Sequence, residues 1–178
     1  MAITLFDLTV GTYTQVLESA IGFLEKSKAH FIENGIDLNE IVGSTLCEDM
    51  QNFYFQVVSA NHHSTKTIEA LTSGEFGPPA HAFGHQPQEG DYDALIAMTK
   101  DSVEMMKAQD VDAINALAEK TITFKMGASE LPFTTENFVL SFSLPNFYFH
   151  ATTAYDILRM KGVKIGKMDF LGNMRMGH

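Results

Sequence analysis

The residues best equipped for chemistry are the seven histidines, His30, His62, His63, His81, His85, His150 and His178. A neutral imidazole ligates metals and accepts hydrogen bonds, and a protonated one donates from both nitrogens. His150 is singled out by its surroundings: it lies in Asn137–Tyr155, 19 residues without Asp, Glu, Lys or Arg. Asn146 stands one helical turn before it on the same face, and Thr153 is close to that face. An imidazole, an amide oxygen and a hydroxyl together suit a polar ligand or a metal-bound water. His63 has Gln56 two turns earlier and Ser59 between them, so it meets His150 if the second and fourth helices face each other. His62 points about 100° away on the helix. Gln56, His63, Asn146, His150 and Thr153 are therefore the candidate ligand site, with His150 and His63 as candidate metal ligands. The competing reading is a pair of core histidines satisfied by backbone or hydroxyl groups. Two imidazoles without a carboxylate form an incomplete zinc set, because catalytic zinc usually has three protein ligands. His81 or His85 would have to supply the third.

The sequence contains no His-Glu-x-x-His, Cys-x-x-Cys, phosphate-cradling glycine loop or Gly-x-Ser-x-Gly elbow. Cys47 falls near the expected start of the second helix, where a thiol pKa can drop, but Glu48 and Asp49 disfavour the thiolate. It reads as a buried structural cysteine. Asp156 and Arg159 are spaced to pair with each other, and the ten methionines read as packing filler.

Helical periodicity predicts the elements that position these groups. A first helix covers about Leu5–Glu33, stopped by Asn34-Gly35. Asp37 and Glu40 have the spacing of a capping box for a short turn. A second helix runs from about Leu46 to Leu71, with Thr45 and Glu48 as its capping box, and the run Phe53-Tyr54-Phe55 requires cover on more than one side. Ser73–Gly90, rich in Gly and Pro, is a loop long enough to cross a bundle, so the second and third helices can lie parallel. A third helix runs from Asp91 or Asp93, either of which can cap it, to about Ala108. Asp110 caps a short helix ending near Ala118. Alternation over Thr121–Met126, then Gly127–Glu130 and Leu131–Thr134, predicts a β-hairpin. A fourth helix spans about Glu136–Lys161, capped by Thr134 or Thr135 and kinked by Pro145. The fold class is all-α: a four-helix bundle with a crossover loop between helices 2 and 3 and a small β-hairpin before helix 4.

The chain has 178 residues, the size of a single domain, and residues 1–178 are read as one. With 12 Lys and Arg against 22 Asp and Glu, the net charge is −10, which argues against nucleic acid as a partner. One cysteine excludes an internal disulfide framework. Polar residues interrupt the uncharged stretch, so it reads as a buried helix and not a membrane span. The N-terminus lacks a basic n-region, and the expected location is the cytoplasm. Residues 1–158 carry −14 and residues 159–178 carry +4. The basic tail is therefore expected to dock Lys161, Lys164, Lys167 and Arg175 on an acidic face of the bundle or on a second subunit.

The opening LFDLTVGTY, the run LPNFYFHATTAYDILRMKGV and the ending GKMDFLG resemble DUF1993, an uncharacterised DinB-like family. The resemblance covers nearly the whole chain and implies the DinB/YfiT-like fold, commonly a homodimer. In the wider superfamily three histidines often hold a divalent metal (zinc, nickel or iron), and some members are thiol-dependent transferases or hydrolases. Here His150 matches the second histidine of the fourth-helix pair, Asn146 stands where the first would be, and the second-helix histidine has no matching counterpart, with His63 standing in for it. The departure from the superfamily pattern implies a degraded metal site, and the reading is a small-molecule-binding bundle of DinB type without a functional metal site. A divalent-metal-dependent transferase or hydrolase and a dimeric structural or interaction protein are the alternatives.

Overall fold

A computed structural model describes residues 2–176, so His178 lies outside the described residues. The chain is mostly helical. A π-helical turn at Asp7–Gly11 leads into α1 (Thr12–Glu33), followed by the short α2 (Leu38–Gly43) and by α3 (Phe53–Ser73). The crossover segment contains β1 (Glu75–Phe76), and α4 (Asp91–Lys107) and the short α5 (Val111–Asn115) come next. Strands β2 (Thr121–Met126) and β3 (Ser129–Thr134) precede α6 (Thr135–Phe138), a second π-helical turn at Val139–Ser143, α7 (Leu144–Met160) and α8 (Lys167–Leu171).

Side-chain pairings fix the directions of the long helices. Phe53 stacks on Tyr92, and Asn61 bonds Thr99, so α3 and α4 run parallel. Glu25 pairs with Lys100 and Glu18 with Lys107, so α1 and α4 are antiparallel. Gln56 meets His150 while Thr67 meets Ser143, so α3 and α7 are antiparallel. The core has two parts. One, near the sheet, gathers Tyr13, Leu17, Leu71, Phe76, Phe138 and Phe147; the other, at the far end, gathers Phe31, Phe53, Tyr92, Leu95, Ile157 and Ile165.

The sheet has the order β1-β2-β3, with β1 parallel to β2 and β2 antiparallel to β3. The hairpin lies where alternation places it, and Gly127 takes the positive φ (61°) that its tight turn demands. Phe76, Ile122 and Phe124 bury one face of the sheet against the helices. The third strand, β1, was not expected: two residues of the crossover segment are too short for a periodic signal, and their partner lies almost fifty positions away.

Several sequence expectations need correction. The second helix starts at Phe53, not Leu46, because Asn52 accepts the Phe55 N–H and caps it, leaving Thr45 and Glu48 in the preceding turns. Cys47 is consequently exposed, not buried. Asp37 caps α2 through the Asn39 N–H, but Glu40 completes no box and instead pairs with Lys161. Gly90 precedes α4, and the Asp91 carboxylate turns back to the Gln88 N–H. Arg159 does not pair with Asp156; its guanidinium donates to the carbonyls of Val163 and Ile165, which holds the chain after α7 against the end of that helix. The tail docks partly through apolar side chains: Ile165 is buried, and Phe170 lies against Phe23 and Tyr155. Arg175 reaches the Asp7 carbonyl and the Thr12 hydroxyl.

Candidate functional site

Helix α3 carries a polar stripe through an otherwise apolar interface: Gln56, Ser59, His63 and Thr67 recur at turn spacing, and all are buried. Opposite it, α7 presents His150. A π-helical turn sits directly before Pro145, and the Leu144 N–H reaches back five residues to the Val139 carbonyl. This wider turn steps the hydrogen-bond ladder past the proline, whose ring nitrogen has no proton to donate. It also turns Ser143 inward, where it is fully buried.

His150 Nδ1 lies 2.8 Å from Gln56 Oε1. Gln56 Nε2 donates to the Gln51 carbonyl at 2.9 Å, which fixes the amide orientation and makes Oε1 the acceptor. The proton of His150 therefore sits on Nδ1, and Nε2 keeps a free lone pair. Burial pushes the His150 pKa down to about 4, so the ring is neutral near pH 7. Phe55 approaches it edge-on, with ring centroids 5.8 Å apart, and Phe83 of the crossover segment covers Phe55 at 4.7 Å.

His63 lies behind. Its ring centroid is 5.8 Å from that of His150, with the two planes 18° apart. Burial, reinforced by the neighbouring His150 and His62, lowers its pKa to about 3. Its Nδ1 and the Ser59 hydroxyl, one turn apart, are buried without a hydrogen-bond partner among the described residues. Phe76 and Phe142 of the sheet-end core pack around His63, whereas Phe55 beside His150 belongs to the other core. The two imidazoles thus bridge the seam between the cores. A hydroxyl cluster backs them: Ser143 Oγ lies 2.8 Å from Tyr13 Oη and 2.6 Å from Thr67 Oγ1, and donates to the His63 carbonyl at 3.0 Å. Burial pushes the Tyr13 phenol up to about 12, so it stays a hydrogen-bonding hydroxyl.

Of the expected site residues, Gln56, His63 and His150 come together. Asn146 donates to the Phe142 carbonyl at 2.7 Å, and Thr153 donates to the Phe149 carbonyl at 2.7 Å. Both side chains donate to carbonyls one turn earlier in the chain, and the amide bonded to His150 is Gln56. The loop histidines go elsewhere: His81 is exposed, and His85 pairs with Asp91. Among the described residues no three His, Cys, Asp or Glu side chains gather as a metal cage. Sequence reading missed the Gln51 carbonyl, the Phe55–Phe83 contact and the Ser143–Thr67–Tyr13 cluster. Of these only the Thr67 end was detectable, as a continuation of the Gln56–Ser59–His63 spacing.

Residues 5–171 match the family model described as Domain of unknown function (DUF1993). The chain belongs to the DUF1993 family. Its structure is similar to the crystal structure of a DinB family member protein from Shewanella denitrificans, with TM-score 0.78 and 28% identity, covering 98% of this chain and 95% of that one. A comparison with curated proteins gives no significant match. No helix among the described residues of this DUF1993 chain is long and apolar enough to cross a membrane.

Proposed function

We propose that this DUF1993 protein binds a small uncharged molecule at the Gln56–His150 pair, with His63 behind it. The four long helices α1, α3, α4 and α7 are read as a DinB/YfiT-type bundle in one domain, joined by a crossover between α3 and α4. The observation that carries the reading is the chain from the Gln51 carbonyl through Gln56 to His150 Nδ1. It leaves Nε2 as a neutral acceptor, the partner for a ligand N–H or O–H. With both histidines neutral near pH 7, a carboxylate or phosphate finds no counter-charge in them, and burying such an anion unpaired is costly. The single cysteine, an exposed free thiol, suits a reducing compartment such as the cytoplasm.

The alternative is a divalent-metal-dependent transferase or hydrolase. A fixed tautomer with a bare Nε2 is how metal-bound histidines are prepared. The rest of the donor set does not fit: Gln56 Oε1 is committed to His150, and among the described residues no carboxylate or third histidine joins the two rings as a metal group. A thermal-shift screen of uncharged heterocycles and amides tests the proposal. Stabilisation that disappears in His150→Ala supports it, since a ligand at 100 times its Kd adds about 2.7 kcal/mol. Stoichiometric zinc, nickel or iron in untagged protein, lost in His150→Ala, overturns it in favour of the metalloenzyme.

Self-association is a second reading, favoured by exposed apolar side chains around α7. Leu140 is 52% exposed, Tyr148 41% and Phe149 54%, within the stretch that lacks charged residues. A second copy of this chain is the partner that face suits.

A further inference from the structure

We infer that the crossover segment from Gly77 to Gly90 is a strap narrowing the approach to His150, and that the His85 imidazole is its clasp. The inference rests on the reading of Gln56 and His150 as a ligand site. The strap is fastened at both ends by imidazoles. At its start, His62 Nε2 donates to the Gly77 carbonyl at 2.6 Å. Near its end, the His85 ring lies flat on Tyr54, with centroids 3.7 Å apart and planes 13° apart. His85 Nε2 donates to Asp91 Oδ2 at 2.7 Å, and the same oxygen accepts the Gln88 N–H at 2.6 Å. The His85 carbonyl accepts from Asn52 Nδ2 at 3.4 Å. One side chain therefore joins the strap to the first turn of α3 and, through Asp91, to the first turn of α4.

Between these fastenings lies the part that covers the site. Ala82 is buried, and Phe83 packs on Phe55, the ring that meets His150 edge-on. Phe83 itself is 54% exposed, so this cover is a single aromatic layer. Gly84 (φ 70°) and Gly90 (φ 89°) flank the clasp in backbone conformations that glycine leaves at little cost. Releasing His85 frees the segment between those glycines and loosens the hold on Phe83, which directly precedes Gly84. The device places the packing of Phe55, and through it the approach to the half-buried His150, under contacts that one side chain controls.

The test uses the full chain without any ligand. Diethyl pyrocarbonate acylates a neutral imidazole nitrogen, and peptide mass spectrometry reads its rate at each histidine in wild type, His85→Ala and Asp91→Asn. Amide hydrogen exchange is followed in the same proteins. We expect both variants to raise exchange within residues 83–90 and to speed acylation of His150 about tenfold, a change that corresponds to about 1.4 kcal/mol in the closing equilibrium. Acylation of His30 on α1 stays unchanged. Faster strap exchange with an unchanged His150 rate overturns the cover. Unchanged strap exchange overturns the clasp. Exchange that rises equally in α1 and α7 overturns both, because His85 then supports the whole fold. Since no ligand takes part, these outcomes are independent of the thermal-shift screen: an empty screen leaves the strap standing, and a failed strap leaves the ligand site standing.

Discussion

His63 and His150 are neutral because burial denies them a charge, and that ties stability to pH. An unfolded histidine takes up its proton near pH 6.5, whereas these reach that point only at about 3 and about 4. Between those limits the unfolded chain holds more protons than the folded one, so stability falls as the pH drops. The contribution is fully present above about pH 6.5 and is lost progressively below it, at about 1.4 kcal/mol per pH unit for His63 and less for the half-buried His150. Urea unfolding at pH 7, 6 and 5 reads the slope, and His63→Leu is expected to flatten it by close to one proton. A slope identical to wild type removes His63 as its source. Gln56→Leu acts on the same pair differently. With no carbonyl to hold the Nδ1 proton, long-range proton–nitrogen NMR correlations are expected to show His150 as a tautomer mixture, where wild type shows Nδ1–H alone. This pairing was half visible in the sequence. Gln56 and His63 share a face by spacing, and His150 sits in an uncharged run. Which amide meets His150 was not visible, because Asn146 has an equally good partner in its own helix, the Phe142 carbonyl, and local spacing cannot rank local against long-range partners.

At the scale of elements, the long helices and the hairpin were legible because periodicity and caps act locally. The start of α3 was misread because Thr45 with Glu48 imitates a capping box, while the real cap, Asn52, lies in front of three aromatic residues whose pattern has no clear face. The two π-helical turns were illegible: each inserts a residue without changing composition. The second has a measurable role, since it turns Ser143 toward Tyr13 and Thr67. Ser143→Ala removes the common partner of two buried hydroxyls. The Thr67 hydroxyl retains the His63 carbonyl at 2.6 Å, but the Tyr13 hydroxyl loses its 2.8 Å partner. The expected cost is about 1–3 kcal/mol in chemical denaturation. Tyr13→Phe combined with Ser143→Ala is expected to recover part of that loss, because no stranded hydroxyl remains. Additive losses in the double variant show that the two residues are uncoupled.

At the scale of the whole molecule, charge decides which faces can meet. A chain carrying −10 repels its own copies, and the basic residues of the tail are partly spent within the molecule, Lys161 on Glu40 and Arg175 on the first helical turns. A second copy therefore approaches best where charge is sparse, and the exposed Leu140, Tyr148 and Phe149, with only Arg175 acting on Tyr148, offer such a face. Association driven by apolar burial against like-charge repulsion strengthens as salt screens the repulsion. The screening length falls from roughly 30 Å at 0.01 M to roughly 8 Å at 0.15 M. Sedimentation velocity at micromolar concentration is expected to show a dimer at the higher salt and a larger monomer fraction at the lower. Phe149→Lys is expected to give monomer at both, with a thermal midpoint within a few degrees of the dilute wild type, because the wild-type ring is more than half exposed and its loss opens no core cavity. The opposite salt dependence would place the contact on ion pairs between the basic tail and an acidic bundle face, and a monomer at every salt concentration would leave this face without a second copy.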